Sequence, residues 1–520
     1  MNHAELVISY ARTHCDRVAV QMDGSALTYG ELAASSEALA IGLQQAGIGL
    51  GDRIMMFAEN SIECLVLYHA VARIGAVFTP VHVSFRVQEL AYAISNARPK
   101  LIVTTTDQLD VLDMGLNETG HDARIVLLNG TGAPGAGQTR YSDLFSRSGS
   151  CVPVDVSPKH PLLISYTSGT TSLPKPVLRS HGAETWSAQS YQKAWGFESG
   201  DRLLVAMSLS WVYGLCSLCQ SAFAAGATVV LEPKFSPTRT LALIEAGQVT
   251  AFAGTMSMYA MMLNILEERP FDTSSLRKAF LGGEPRNEVA VEKIEARLGL
   301  RLCEGWAMTE SFPVLAVHPT RDRQAPVACL GRVVPGVELR LVDGNGQDVA
   351  DGEPGEAWVK GPGDFLEYSD EPELTDARRT SSGWVRSGDL LRRGDDGYYI
   401  FVTRQSEIII RGGVNISPVE VESAICAHAD IADAVVVGLP DSVLGEIVAA
   451  LVITRSDKPL DAEAITAFVS ERIARFKVPA KLFRVESIPA GTTGKKNRTE
   501  ARKIATLLEA EAVQVGVHKF

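Results

Sequence analysis

Arg-Ile-Met-Met-Phe at 53–57, an amphipathic run over 61–75 and Val-Phe-Thr-Pro-Val at 77–81 decide how this chain folds. The two short runs are nearly continuous in apolar residues, so they read as strands covered on both faces. The segment between them is long enough to cross one face as a helix and return in parallel. The same rhythm continues through 87–97, Leu-Ile-Val-Thr-Thr at 101–105 and Ile-Val-Leu-Leu at 125–128. It predicts an α/β protein with parallel or mixed sheets and crossover helices.

Outward from this region the texture changes twice. From about 330, Gly and Pro become dense and apolar runs short, as in Gly-Glu-Ala-Trp-Val-Lys-Gly (355–361) and Gly-Tyr-Tyr-Ile-Phe-Val (397–402). That predicts a small, mostly antiparallel, barrel-like piece. After Arg404 the pattern predicts a helix over 418–428, capped by Ser417 with Glu420 closing a capping box. Strands at 434–437, 449–453 and 481–485 and a helix at 461–475 complete a small α+β unit. A chain of 520 residues exceeds the roughly 250–300 that one core sustains. The division falls between a large domain, 1–404, and a small one, 405–520.

Apolar residues make up 46% and charged residues 21%, the balance of a soluble globular protein. A formal charge of −12 disfavours a nucleic-acid face and leaves any anionic ligand dependent on local cations. The eight cysteines follow no disulfide framework, and Cys216-x-x-Cys219 lacks the second pair a metal site needs, so it reads as two small apolar side chains. Residues 203–231 carry no charge over a membrane-spanning length. Yet Ser208, Ser210, Ser217, Gln220 and Ser221 interrupt them, and Ala-Ala-Gly-Ala-Thr-Val-Val-Leu (224–231) reads as a turn feeding a strand. Strand, helix, strand is therefore expected instead of a membrane span. No secretory signal opens the sequence, and a reduced, cytoplasmic setting is expected.

Five segments carry chemistry. Tyr-Thr-Ser-Gly-Thr-Thr-Ser-Leu-Pro-Lys-Pro (166–176) follows a buried strand, and its glycine, hydroxyls and lysine could cradle phosphate. Its spacing is not that of a Walker loop. Glu-Gly-Trp-Ala-Met-Thr-Glu (304–310) offers a flat aromatic for a base, a hydroxyl for a phosphate and a carboxylate for Mg²⁺. In Gly-Trp-Val-Arg-Ser-Gly-Asp-Leu (383–390) an Asp could accept from both ribose hydroxyls. The fourth runs Arg-Gln-Ser-Glu-Ile-Ile-Ile-Arg-Gly-Gly-Val-Asn-Ile-Ser-Pro-Val-Glu-Val-Glu (404–422), and the fifth, Pro-Ala-Gly-Thr-Thr-Gly-Lys-Lys-Asn-Arg (489–498), is a basic loop. Singly, each also reads as an ordinary turn, packing aromatic or solvated face.

In this order and spacing, together with Leu-Thr-Tyr-Gly-Glu-Leu (27–32), Gly-Ile-Gly-Leu-Gly-Asp-Arg-Ile (47–54) and Arg-Ile-Gly-Ala-Val-Phe-Thr-Pro (73–80), the segments resemble the adenylate-forming superfamily. That group joins acyl-CoA synthetases, peptide-synthetase adenylation domains and beetle luciferases. The resemblance implies ATP and Mg²⁺ as cofactors and a mobile C-terminal domain. Thr167, Ser168, Gly169, Thr170, Thr171 and Lys175 match its β- and γ-phosphate loop. Gly283, Glu284 and Pro285 match the adenine border and Trp306 the stacking aromatic. Thr309 matches the α-phosphate contact, Glu310 the Mg²⁺ ligand, and Asp389 and Arg404 the ribose contacts. Lys495 matches the lysine that reaches the acid and the α-phosphate. Ser406 matches the hinge, where the family usually has Asp or Lys, and Arg411, Gly412 and Gly413 the loop lining the thiol tunnel. Ser172 and Pro176 replace two loop glycines, and Ala307 replaces the glycine after the aromatic.

The implied reaction is adenylation of a carboxylic acid with loss of pyrophosphate, then acyl transfer to coenzyme A. An alternative acceptor is the phosphopantetheine of an acyl or aryl carrier protein, or an amine giving an amide. A catalytically silent nucleotide-binding relative is the reading from another class. The acid pocket is expected at Trp211, Val212, Tyr213, Met256 and Gly282. With no Asp near Val212 to hold an α-amine, an apolar or aromatic acid is expected, although these side chains also read as core. A homodimer is compatible with the sequence, which carries no interface signature.

Overall fold

The computed structural model describes residues 2–129, 135, 137–167, 173–284, 286–455, 460–491 and 495–514. Among these residues the strands form four sheets. In the first, Pro161–Tyr166, Val77–Pro80, Arg53–Phe57, Leu101–Thr104, Arg124–Leu127 and Gln138–Arg140 lie side by side in parallel. Pro176–Ser180 and Glu367–Tyr368 extend that sheet antiparallel at one edge. Helix Ile62–Arg73 makes the expected crossover from Arg53–Phe57 to Val77–Pro80, and ten of its side chains are buried.

The second sheet runs Leu302–Met308, Lys278–Leu281, Ala251–Gly254, Arg202–Val205, Thr228–Leu231 and Val18–Met22 in parallel, with antiparallel strands at both ends. Its twofold coverage explains the uncharged stretch 203–231: strand Arg202–Val205, a helix over Tyr213–Ala225 and strand Thr228–Leu231 are almost wholly buried. No helix among the described residues is long and apolar enough to cross a membrane. One contiguous core, including Phe78, Leu163, Leu203 and Val229, joins the two sheets through the helices between them.

The antiparallel piece is a four-stranded sheet, Glu338–Val342, Gly355–Lys360, Val385–Arg393 and Tyr399–Arg404. Its Ala357, Val359, Leu391 and Tyr399 close over Trp306, Val314 and Leu315. The chain then passes through a single turn, Gln405–Glu407, into the C-terminal unit.

In that unit the strands Ile431–Asp441 and Gly445–Thr454 form one long hairpin. Alternate residues face opposite ways: Ala434, Val436, Ala450 and Val452 pack with Val421, Ile425, Ile465 and Val469, while Val435, Val437, Ala449 and Leu451 pack with Ala501 and Ala505. Both strands are longer than the predicted 434–437 and 449–453. The predicted helix 461–475 stops at Ser470. Ser417 caps helix Pro418–Cys426, but Glu420 does not close the box; its carboxylate holds Lys477 at 2.7 Å instead.

Candidate active site

Parallel strands deliver their C-terminal ends to a common edge, where open α/β folds bind ligands. Here Pro161–Tyr166 ends at Thr167, Ala251–Gly254 at Thr255, Lys278–Leu281 at Gly282 and Leu302–Met308 at Thr309. Thr167 ends a strand of the first sheet and Thr255, Gly282 and Thr309 end strands of the second, and Arg179, beside the former, reaches the Thr309 carbonyl of the latter.

Thr167 and Lys175 clasp the base of the serine- and threonine-rich loop: the Thr167 amide donates to the Lys175 carbonyl at 3.0 Å and the Lys175 amide to the Thr167 hydroxyl at 3.4 Å. The Lys175 ammonium stands 5.6 Å from the Tyr368 ring centroid. Ser168, Gly169, Thr170 and Thr171, with the variant Ser172, lie outside the described residues, as does Pro285.

Asp389 and Arg404 are direct partners across the antiparallel pair Val385–Arg393 and Tyr399–Arg404. The Arg404 guanidinium approaches the Asp389 carboxylate at 3.4 Å, and the Trp306 indole N–H donates to its other oxygen at 2.8 Å. Three predicted nucleotide residues thus form one contact group. Burial pushes the Asp389 carboxyl up from its ordinary value, against the pull of Arg404 and the Trp306 bond.

Thr309 and Glu310 follow Trp306 on the same strand end. The Thr309 carbonyl accepts from Arg179 at 3.1 Å, and the same nitrogen donates to Gly363 at 3.0 Å. Arg179 and its ion-pair partner Glu184 are fully buried. Glu310 is held by the Tyr368 hydroxyl and by Arg378 at 3.2 Å, both on Oε1. Arg378 also donates to the Ser387 carbonyl at 3.0 Å, so it bridges the Glu310 and Asp389 segments. Sequence reasoning missed Tyr368, Arg378 and Arg179. Only Arg179 left a trace, a charge inside the apolar run Pro176–Ser180.

Lys495 enters this group from the small domain. Its Cε lies 4.0 Å from where a Cβ on Gly283 would stand. Withdrawal from water, then the nearby Arg404 charge, push its ammonium down to about 8, against the attraction of Glu284 and Asp389. Glu284 accepts from the Ser257 amide at 2.7 Å and hydroxyl at 2.9 Å through Oε2, while Oε1 is buried without a partner. Burial raises its carboxyl. A set of two carboxylates, two cations and an aromatic can hold a sugar, a base and a developing phosphate charge in a site poor in water.

Tyr213, Gly282 and Gly305 lie together beside it: a methyl on Gly282 would stand 3.2 Å from the Tyr213 hydroxyl and 3.7 Å from the Gly305 carbonyl. Tyr213 opens a stretch with wide π-helical turns, Tyr213–Gln220, a geometry often found at functional sites. Trp211 stacks on His82, ring centroids 5.3 Å apart, and Val212 packs against the main core. Met256 starts helix Met256–Glu268 and is buried in the second core cluster. Ser406 is exposed in the turn between the two units. Arg411, Gly412 and Gly413 are not brought to this cleft. They form a hairpin turn in the small domain, where Arg411 donates to the Phe476 carbonyl at 2.7 Å and Gly412 and Gly413 take positive φ.

A family model described as AMP-binding enzyme matches residues 9–369, and one described as AMP-binding enzyme C-terminal domain matches residues 420–495. An indoleacetate–CoA ligase of Aromatoleum aromaticum is 32% identical over 97% of this chain and 98% of its own. A feruloyl-CoA synthase of an Amycolatopsis species is 30% identical over 95% and 97%. Among solved structures, ATP-bound MatB from Rhodopseudomonas palustris superposes with a TM-score of 0.88 at 27% identity, covering 97% of this chain and 99% of that one.

Proposed function

This chain belongs to the AMP-binding enzyme family, ATP-dependent ligases that form an acyl-adenylate and then a thioester, and from that premise we propose how its cleft divides the work. Residues 1–404 bind ATP and the acid, and 405–520 carry the lysine of the first step and the loop of the second. Trp306, Gly283, Glu284 and Pro285 border adenine, and Asp389 and Arg404 hold the ribose. Thr167, Ser168, Gly169, Thr170, Thr171 and Lys175 take the outer phosphates. Glu310 fits Mg²⁺, since one carboxylate suffices when phosphates fill the other positions. When bound, that ion would neutralise charge on the phosphates.

In the first step the acid's carboxylate oxygen attacks the α-phosphorus and pyrophosphate leaves. Holding the two anions in line removes much of the entropic barrier. Lys495 and Thr309 stabilise charge developing on the transferring group. The observation that carries this reading is the Lys495 ammonium already inside the group formed by Gly283, Glu284, Asp389 and Arg404. In the second step the small domain turns about Ser406, Lys495 withdraws, and Arg411, Gly412 and Gly413 line the way for the coenzyme A thiol, whose attack on the acyl carbon expels AMP.

The acid is a small apolar or aromatic carboxylic acid. Trp211, Val212 and Met256 support this, as do relatives named for indoleacetate and ferulate. Eight unpaired cysteines, seven of them buried, suit a reducing, cytoplasmic setting. Acid-dependent exchange of labelled pyrophosphate into ATP across an acid library tests the first step. Comparing coenzyme A, carrier proteins and amines as acceptors tests the second. Exchange with no acid would overturn the reading, and transfer to a carrier or amine in preference to coenzyme A would replace its second half.

A further inference from the structure

The one carboxylate assigned to Mg²⁺ in the cleft already has a cation on it. Arg378 Nη2 stands 3.2 Å from Glu310 Oε1, and the Tyr368 hydroxyl donates to that same oxygen. Among the described residues nothing takes Glu310 Oε2. Glu310 is only 5% exposed and Arg378 keeps 21% of its side chain exposed, so water and salt screen the pair little.

Arg378 is fixed from more than one side. Its Nη1 donates to the Ser387 carbonyl at 3.0 Å, and its Nη2 also reaches the Met308 sulfur at 3.7 Å. Tyr368, which shares Glu310 with it, has the Lys175 ammonium 5.6 Å from its ring centroid. A row therefore runs from the base of the phosphate loop to the ribose contacts: Lys175, Tyr368, Glu310, Arg378 and the strand segment of Ser387 and Asp389. Among the described residues no three His, Cys, Asp or Glu side chains gather to hold a metal ion by themselves. A metal here would rest on one carboxylate and on the phosphates. That carboxylate is neutralised in advance, by a guanidinium that keeps its charge at any physiological pH. Glu310 thus offers a dication a neutral pair instead of an anion, while Arg378 offers the phosphates a fixed positive charge with or without the metal.

Given the nucleotide reading of the cleft, on which this inference rests, we propose that Arg378 is a resident cation that takes over part of the metal's charge. It holds Glu310 in place, lets ATP bind without a divalent ion, and weakens the coupling between ATP and Mg²⁺. It is a positioning residue, acting through Glu310 and by its charge.

Titration calorimetry of ATP into the full chain, in EDTA and then in excess Mg²⁺, tests this without any turnover. The unaltered chain should bind ATP in EDTA, and Mg²⁺ should tighten that binding by less than about tenfold. In Arg378→Met, which keeps a stem but no charge, binding in EDTA should weaken by at least about tenfold, and Mg²⁺ should recover most of the loss. Arg378→Lys keeps a charge and should keep a small Mg²⁺ effect. An arginine with a structural role alone would weaken binding equally in both buffers when replaced, and that equal loss would overturn the inference. So would an unaltered chain that needs Mg²⁺ to bind ATP at all, a result that stands even where Arg378→Met does not fold. Either outcome leaves the nucleotide site where it is. No binding in either buffer would instead remove the nucleotide reading, and this inference with it.

Discussion

Lys495 is poised by its neighbours rather than by its own chemistry. Burial and the Arg404 charge bring its ammonium down to about 8, so it is charged below that pH. Acid-dependent pyrophosphate exchange at limiting ATP should therefore fall as pH rises through about 8, because the cation proposed to stabilise the transferring phosphoryl is lost. A pH profile of kcat/KM checks it. Lys495→Ala should slow adenylation on the order of a hundred- to a thousandfold, while thioester formation from added acyl-adenylate survives. Equal loss in both steps would remove Lys495 from its role. At this scale Trp306, Thr309, Glu310, Asp389 and Arg404 were legible because each stands in a run of chemistry-bearing residues. Arg378 and Tyr368 were not: one sits in the short helix Pro372–Arg378, the other on a two-residue edge strand, and in sequence both pass for surface. Only the fold brings them onto Glu310.

Strand Pro176–Ser180 owes its place to a buried charge. Arg179 pairs with Glu184 and donates to the carbonyls of Thr309 and Gly363, tying this strand to the end of Leu302–Met308. Arg179→Ala leaves Glu184 buried without its cation and should cost about 3–5 kcal/mol in denaturant unfolding. It should also raise KM for ATP, since the Thr309 backbone loses its anchor. Elements of the large domain were readable because crossover helices and doubly covered strands leave long, regular apolar runs. The small domain was less so. Helix Ala462–Ser470 ends in a tight turn, with the Arg472 and Ile473 amides both donating to the Val469 carbonyl, and further on the Phe476 carbonyl accepts from Arg411 and Lys477 pairs with Glu420. Tertiary contacts there overrule local propensity.

The large domain holds a buried histidine group apart from the cleft. His3, His69 and His181 converge with Tyr68, Thr185 and Gln220. Burial lowers the pKa of all three, that of His181 to about 3. The unfolded chain then binds protons near pH 6.5 that the folded chain refuses. Stability should accordingly fall as pH drops below 6.5, by about 1.4 kcal/mol per pH unit for each histidine until its folded value is reached. Denaturant midpoints at pH 7.5 and 5.5 check the sign. None of this was legible beforehand, since the three histidines stand far apart in sequence and meet only when residues 2–11 dock on helices Ile62–Arg73 and His181–Ala194. The bond from Trp306 to Asp389 gives the molecule a built-in optical gauge. In the proposed binding mode a nucleotide sugar claims that carboxylate and a base covers the ring, so the indole changes both its polar partner and its surroundings. Tryptophan emission should shift on adding ATP alone, and Trp306→Phe should silence the response, so occupancy of the cleft can be followed without a label or a turnover.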